Sequence, residues 1–559
     1  MTSRSFRTRR GPWLAGFLAL GLVLGACSSD PSTTDSTAAA NSTAGSAGGS
    51  GAAAPNKGGT LTVGLQTSPK TLDPNAAGGQ TEFNVMRQVF DSLVYEESVG
   101  KYTPWLAQSW TISPDGTVYT FKLRTDVTFQ DGTKFDAAAV CFNFDRIVKP
   151  ETASRIGISA LGPYKSCAAS DAATAVVTFK SPYPSFLAYL ANYLYISSPA
   201  AVAKEGANIA QHPVGTGPFA FESWTLNSEI VLKRNDAYNW APEGMHSGSA
   251  YLDKIVYRLV PNDTTRVGSL QSGDLDAVEV IPAQMVAGVK ADANVKVDAI
   301  PKPGAPYVLF INQDHAPWND LKARTALRDA IDVKTALTTI YFDVYARAWG
   351  PLSPTTAGYD KSVENSWQPD LAKANQAFDE LGWTKGPDGI RVKDGKKLSI
   401  VFLEEPNRDK RSDLAEFIAQ GLRQNVGIEV TTTFLAGAAW TAAAQPGKYD
   451  VTGGSLGGVD GSVLKQEYDS SRRSTPDKLG YNLSNVNSPE LDKLLADAQA
   501  APTTEASDPL YAQAQKWILD NVAVIPIYVN TYVFAYQTKV KDLKYDRMTN
   551  PLLFDVHLG

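Results

Sequence analysis

Residues 213–224 read PVGTGPFAFESW, and the fold turns on how they are read. Two glycines around a threonine suggest a phosphate-cradling loop, which would open into a helix N-terminus and carry a Lys-Ser/Thr pair. No such pair follows. Pro218 comes next, then Phe219 and Phe221 on one side of an alternating run, the period of a strand. The stretch therefore reads as a tight bend at Gly215 and Gly217, fixed at its exit by Pro218, that seats a strand in a core.

Strand patterns extend outward from it in both directions. In GGTLTVGL, residues 58–65, Leu61, Val63 and Leu65 alternate, and in TVYTFKLRTDVTFQDGTKF, residues 117–135, Tyr119, Phe121 and Leu123 oppose Thr120, Lys122 and Arg124. Asp115-Gly116 and Asp131-Gly132 bracket that run with turns, and a second strand-rich block covers 214–260. From about residue 318 helices alternate with strands, the signature of an α/β layer structure. Ala323, Leu327, Ala330 and Ile331 share one helical face, as do Leu371, Ala374, Phe378 and Leu381 before a terminating Gly382. Leu414, Phe417, Ile418 and Leu422 form a third stripe ended by Gly427, and Ser488 and Pro489 start a fourth helix. These stripes read as core.

The N-terminus carries Arg4, Arg7, Arg9 and Arg10 before GPWLAGFLALGLVLGA, an apolar run too short to span a bilayer comfortably. It reads as a secretory signal over residues 1–26. Its end, LGAC, Leu24 to Cys27, resembles the lipobox of bacterial lipoproteins, and that resemblance implies cleavage before Cys27 and a lipid on its thiol. Residues 28–56 are almost wholly small and polar, a tether that would reach about 30 Å. Beyond Cys27 no apolar run is long enough to span a membrane. The remaining roughly 500 residues exceed one core and imply two or three domains. A net charge of -6 argues against nucleic acid as a partner. With Cys27 assigned to lipid, Cys141 and Cys167 remain as an even pair in an oxidising compartment, so a disulfide is expected; two unpaired buried thiols are the alternative.

Taken in order, GGTLTVG, TLDP (71–74), PWLAQSWTISPDGTVYTFKLRTDVTFQDGTKF, HPVGTGPFAFESW, IVLKRNDAYNW, LQSGDLDAV (270–278), DLAKANQAFDELGW and AVIPIYVN resemble the family 5 extracellular solute-binding proteins of ABC importers. The resemblance implies an α/β fold of the two-lobed, type II periplasmic-binding-protein kind with an additional inserted subdomain. Lobe I would hold 57–100, 212–300 and 525–559, the insertion 101–211 and lobe II 301–524. The crossings near PKPGAPYVLF and VIPIYVN would be the hinge. It further implies a monomer that captures a peptide-like, oligosaccharide-like or chelated solute and delivers it to a permease driven by a separate ATPase, with no cofactor of its own. A metal-chelate carrier and a sensor or adhesive lipoprotein are the alternatives on the same fold.

By that resemblance the carboxylate of Asp460, in YDVTGGSLGGVDGSVL, would pair with a ligand's ammonium group; the residues alone also allow a surface turn at Asp460-Gly461. Peptide-binding relatives carry Gly-Trp a few residues before the aspartate, whereas this chain has Ser455-Leu456, so that aromatic wall is missing. Trp440, Trp349, Tyr307 and Asn312 are ligand-contact candidates, with core packing as the competing reading, and Arg472 and Arg473 are either carboxylate partners or solvated charges. Catalysis lacks its parts: His212, His246, His315 and His557 are scattered without metal-ligand spacing, and no GxSxG elbow occurs.

Overall fold

The computed structural model describes residues 55–559 apart from 155, 407–408, 446 and 476–477. The signal, the tether and Cys27 lie outside the described residues. Among the described residues no helix is long and apolar enough to cross a membrane.

In chain order the elements used below are β1 (Thr60–Leu65), α1 (Gln80–Val89), β2 (Ala107–Ile112), β3 (Val118–Leu123), α2 (Ala137–Ile147), β4 (Tyr164–Asp171), β5 (Thr174–Phe179) and α3 (Phe186–Tyr193). They continue with β6 (Phe219–Thr225), β7 (Glu229–Arg234), β8 (Lys254–Leu259), β9 (Ala277–Glu279), α4 (Ala283–Lys290), β10 (Val295–Pro301) and β11 (Tyr307–Ile311). Then come α5 (Val333–Tyr341), β12 (Ser399–Glu404), α6 (Arg411–Gly421), β13 (Glu429–Phe434), β14 (Val451–Gly454), α7 (Thr504–Asp520), β15 (Val524–Tyr528) and β16 (Thr531–Gln537).

A first sheet of seven strands runs β10-β16-β9-β1-β8-β7-β6, with β1 parallel to both β8 and β9. A four-stranded antiparallel sheet, β2-β3-β5-β4, stands beside it. Its alternation holds: Tyr119, Phe121 and Leu123 are buried, and the first two rings meet Phe186 of α3 edge-on. These side chains join one continuous core with Leu61 and Val63 of the first sheet. A disulfide links Cys141 of α2 to Cys167 of β4 and ties helix to sheet.

The second sheet runs β13-β12-β14-β11-β15. All five residues of β11, YVLFI, are buried, because apolar layers cover both faces. Tyr307, Leu309 and Ile311 enter one cluster, and Val308 and Phe310 enter the other. That is why the strand reads as an unbroken apolar run. β15 pairs with β11, so the second sheet extends to Tyr528, past the boundary expected at residue 525. The chain passes between the sheets twice, at 302–306 and at 529–530. The crossings are bonded to each other: Lys302 N–H donates to the Asn530 carbonyl at 2.7 Å, and the Asn530 side-chain amide donates to the Ala305 carbonyl at 3.3 Å.

GTGPF differs from its expected role in one respect. Neither Gly215 nor Gly217 has a positive φ. Both are needed for close approach, because a Cβ would lie 2.2 Å from the Val89 carbonyl oxygen at Gly215 and 2.5 Å from the Val89 carbonyl carbon at Gly217. Gly217 N–H donates to that oxygen at 2.9 Å, and the Gln130 side-chain amide donates to it at 3.2 Å, so the C-terminus of α1 is satisfied. The N–H groups of both glycines are thus engaged within the protein, that of Gly215 by the Gln130 side-chain oxygen at 3.1 Å, and neither is turned to a phosphate.

Candidate functional site

The segment that follows β14 leaves the second sheet and reaches α3, which belongs to the other core. Asp460 lies in it, nearly buried. Its Oδ1 accepts from the backbone N–H of Ser462 at 3.1 Å and from the Ser462 hydroxyl at 2.5 Å. The Tyr189 hydroxyl of α3 lies 3.3 Å from the Ser462 Oγ, which joins the two halves. Burial holds the Asp460 carboxyl above its ordinary range, opposed by hydrogen bonds from Ser185 and Ser462. Among the described residues, no lysine or arginine is one of the groups that compensate it. Its charge instead acts on a ring of phenols and acids. Tyr183, Tyr189 and Tyr511 are raised first by their own burial and then by neighbours that include Asp460. Asp508 of α7 is pushed up to about 6, by burial first and Asp460 second. Glu96, also raised by burial, accepts from Asn192 at 2.6 Å and has Arg547 at 3.9 Å.

An uncompensated buried carboxylate among aromatic faces favours a cation of small size, an ammonium group above all. The absent Gly-Trp therefore leaves no bare wall. Tyr189 and Tyr193 supply it from α3, where Tyr193 OH faces the position of a Cβ on Gly457 at 3.8 Å, and the Tyr511 ring abuts Gly461. Tyr189 and Tyr193 are spaced i,i+4 in FLAYLANY, which puts them on one helix face; that signal was available in the sequence. Glu96 and Arg547 carried none.

Tyr307 belongs to a second polar cluster at the other end of the same segment. Its hydroxyl donates to Glu404, and its ring stacks on Tyr528 with centroids 4.7 Å apart. The Arg411 guanidinium sits 4.5 Å above the Tyr307 ring. Arg411 also donates to the Ser455 Oγ at 3.3 Å and stands 4.0 Å from Glu404. Its Nε is buried without a hydrogen-bond partner. Residues 455–460 thus carry a guanidinium at one end and a carboxylate at the other. In the sequence Arg411 sits in NRDKRSDL, a charge run that reads as solvated.

The remaining candidates are placed elsewhere. The Asn312 amide donates to the Tyr449 carbonyl at 3.0 Å, and its oxygen accepts from Asn485 at 3.0 Å and from the N–H of Asp314 at 3.1 Å. It locks the end of β11 opposite the Asp460 segment, and its polar atoms are taken. Arg472 is exposed at the end of a short 3-10 turn, while Arg473 pairs with Asp314 at 2.5 Å. Trp440 packs with Leu403, Tyr449 and Leu479, its indole N–H buried and unpartnered. Trp349 stacks on Arg347 at the outer edge of the second sheet. Among the described residues no three His, Cys, Asp or Glu side chains are grouped to hold a metal ion.

Two sheets joined by a double crossing are the architecture of the type II periplasmic binding proteins. The sequence profile of "bacterial extracellular solute-binding proteins, family 5 Middle" matches residues 101–466, and the chain belongs to that family. It is 30% identical over 490 residues to the glutathione-binding protein GsiB of Shigella dysenteriae, covering 85% of this chain and 90% of that protein. Among solved structures it resembles DppA of Helicobacter pylori, an ABC transporter-associated periplasmic binding protein in complex with the peptide STSA. That match has 26% identity and a TM-score of 0.71, and covers 90% of this chain and 98% of that one. NikA of Brucella suis, in complex with Fe(III)-EDTA, shares the fold with a TM-score of 0.79 at 24% identity, over 90% of this chain and 100% of that one.

Proposed function

We propose that this solute-binding protein captures a peptide or peptide-like compound with a free ammonium group and hands it to an ABC permease driven by a separate ATPase. The observation that carries the reading is Asp460, a buried carboxylate with no cationic partner among the described residues, walled by tyrosines. Arg411 at the other end of the segment suits a ligand that also bears a negative charge, which favours a peptide over an oligosaccharide. The glutathione-binding and peptide-bound relatives support the same chemistry. Lobe I is assigned to 57–100, 212–300 and the chain beyond residue 529, the insertion to 101–211 and lobe II to 301–528, with 302–306 and 529–530 as the hinge. Cys27 is the proposed lipid attachment, which would hold the monomer on the extracytoplasmic face of the membrane.

The test is a thermal-shift and calorimetric screen of short peptides and glutathione, each with its N-acetylated form, beside oligosaccharides and nickel chelates. A free-amine ligand at 100 times its dissociation constant adds about 2.7 kcal/mol of stability. The acetylated form is expected to add none, and Asp460→Asn to weaken binding about a hundredfold without lowering the unliganded melting temperature. A sugar or chelate that binds while every peptide fails would overturn the reading. So would turnover of the bound compound.

A further inference from the structure

Arg347 is the one guanidinium in the fold with aromatic rings on both sides and no protein acceptor in reach among the described residues. Its Cζ lies 4.1 Å from the centroid of Trp349 and 4.5 Å from that of Trp367. Its Nε and Nη2 are buried without a hydrogen-bond partner. Other buried arginines behave differently. Arg266 donates to the carbonyls of Val260, Glu279 and Val280, Arg324 to those of Trp318 and Asn521, and Arg391 to that of Val426 and to Asp379. Asp332 contributes a field at Arg347, but its oxygens accept from the N–H and hydroxyl of Thr335 at 3.0 and 2.6 Å as a helix cap. Burial draws the guanidinium down to about 10, still cationic at neutral pH.

This cation lines a concavity of 420 Å³ whose other walls include Lys334, Leu337, Tyr345, Trp349 and Asp343. Asp343, the acid of the wall, accepts from the Thr338 hydroxyl at 2.9 Å. Ala346 and Arg347 line it, and residues 346–348 pair with the edge strand of the second sheet. Val529 N–H donates to the Ala346 carbonyl at 2.8 Å, and Ala348 N–H to that of Ile527 at 3.2 Å. None of residues 455–460 lines it; the Tyr345 ring of its wall meets Tyr528 at 5.2 Å, and Tyr528 separates it from the Tyr307 cluster.

We propose that this concavity is a second binding site, for a small organic carboxylate with a flat apolar body. The acid group would face Arg347, with Lys334 as the second positive charge, and the body would lie against Leu337, Tyr345 and Trp349. A planar guanidinium pre-oriented by two indoles loses little freedom on meeting a carboxylate, and a desolvated one gains more from it than a surface arginine would.

The probe is 4-bromobenzoate, titrated calorimetrically into the protein and soaked into its crystals, with 4-bromobenzamide as the uncharged counterpart. The expected results are one-to-one binding of the acid, no binding of the amide, and a bromine anomalous peak in the concavity with the carboxylate in hydrogen-bond reach of Arg347. Arg347→Gln should weaken the acid by about tenfold or more, and Arg347→Lys by less. Several results would overturn the site: bromine elsewhere, equal binding of acid and amide, an unchanged affinity in Arg347→Gln, no heat of binding, or density at crystal concentration only. If Arg347→Gln does not fold, the acid–amide comparison and the bromine position decide the matter with the unaltered protein.

Discussion

Asp91 shows how much one buried group can set. It is fully buried, its Oδ2 accepts from the Thr216 hydroxyl and the Trp240 indole N–H at 2.9 Å each, and its Oδ1 has no partner. Burial pushes its carboxyl from 3.8 up to about 7, against the opposing hydrogen bonds of Trp240 and Thr216 and the charge of Arg87. Between those two values the native state holds a proton that the unfolded chain has released, so the Asp91 contribution to stability falls as pH rises through that window. Asp91→Asn should remove this part of the slope, worth about 4 kcal/mol across the window, and leave a flatter profile. Denaturant unfolding at several pH values from about 4 to about 7.5 measures it. Glu279 and Asp546 are also raised by burial, so the difference between variant and parent isolates Asp91. Equal slopes would assign the effect to those neighbours.

At the scale of elements, the close packing of GTGPF against α1 makes a steric prediction. A methyl on Gly217 meets the backbone of Gln88 and Val89 at 2.5–2.7 Å, and backbone cannot rotate away as a side chain can. Gly217→Ala is expected to destabilise by about 2–4 kcal/mol, whereas Gly268→Ala, in a helix with open space around it, should be neutral or gain up to about 1 kcal/mol. Chemical denaturation of both variants checks this, and similar midpoints would mean that α1 can shift. The two glycines also mark where sequence reading reaches its limit. The strand after them, the alternation in β3 and the unbroken run of β11 were all legible, because side-chain period and length are local properties. That Gly215 and Gly217 serve close approach was not legible, since the contact partner lies some 130 residues earlier in the chain. Asp460 stands out in the sequence through its motif, but the tyrosines around it come from α3 and α7, and the Arg411 cluster from a charge run that reads as solvent-facing. The surroundings of Asn312 were not legible for the same reason: an asparagine at a strand end looks available until its three hydrogen-bond partners are known.

Across the whole molecule, few polar contacts join the two halves, and each can be tested as a latch. Arg547, beyond β16, donates to the Thr355 carbonyl in the segment 349–358, and Leu352 of that segment packs in the second sheet's core. Arg547 also faces Glu96 at 3.9 Å, but it is not among the groups that act on Asp460. Two effects of Arg547→Met can therefore be ranked. Loss of the bridging hydrogen bond weakens the joined arrangement, whereas the charge of Arg547 bears on Glu96 and reaches the place where an ammonium group would bind only at second hand. A ligand held between the halves leaves when they part, so the variant should dissociate a bound peptide about tenfold faster with an unchanged association rate. Stopped-flow measurement of both rates decides it. A changed association rate with constant dissociation would make Arg547 a steering charge and not a latch, and would move the balance of this interface from hinge mechanics to electrostatics.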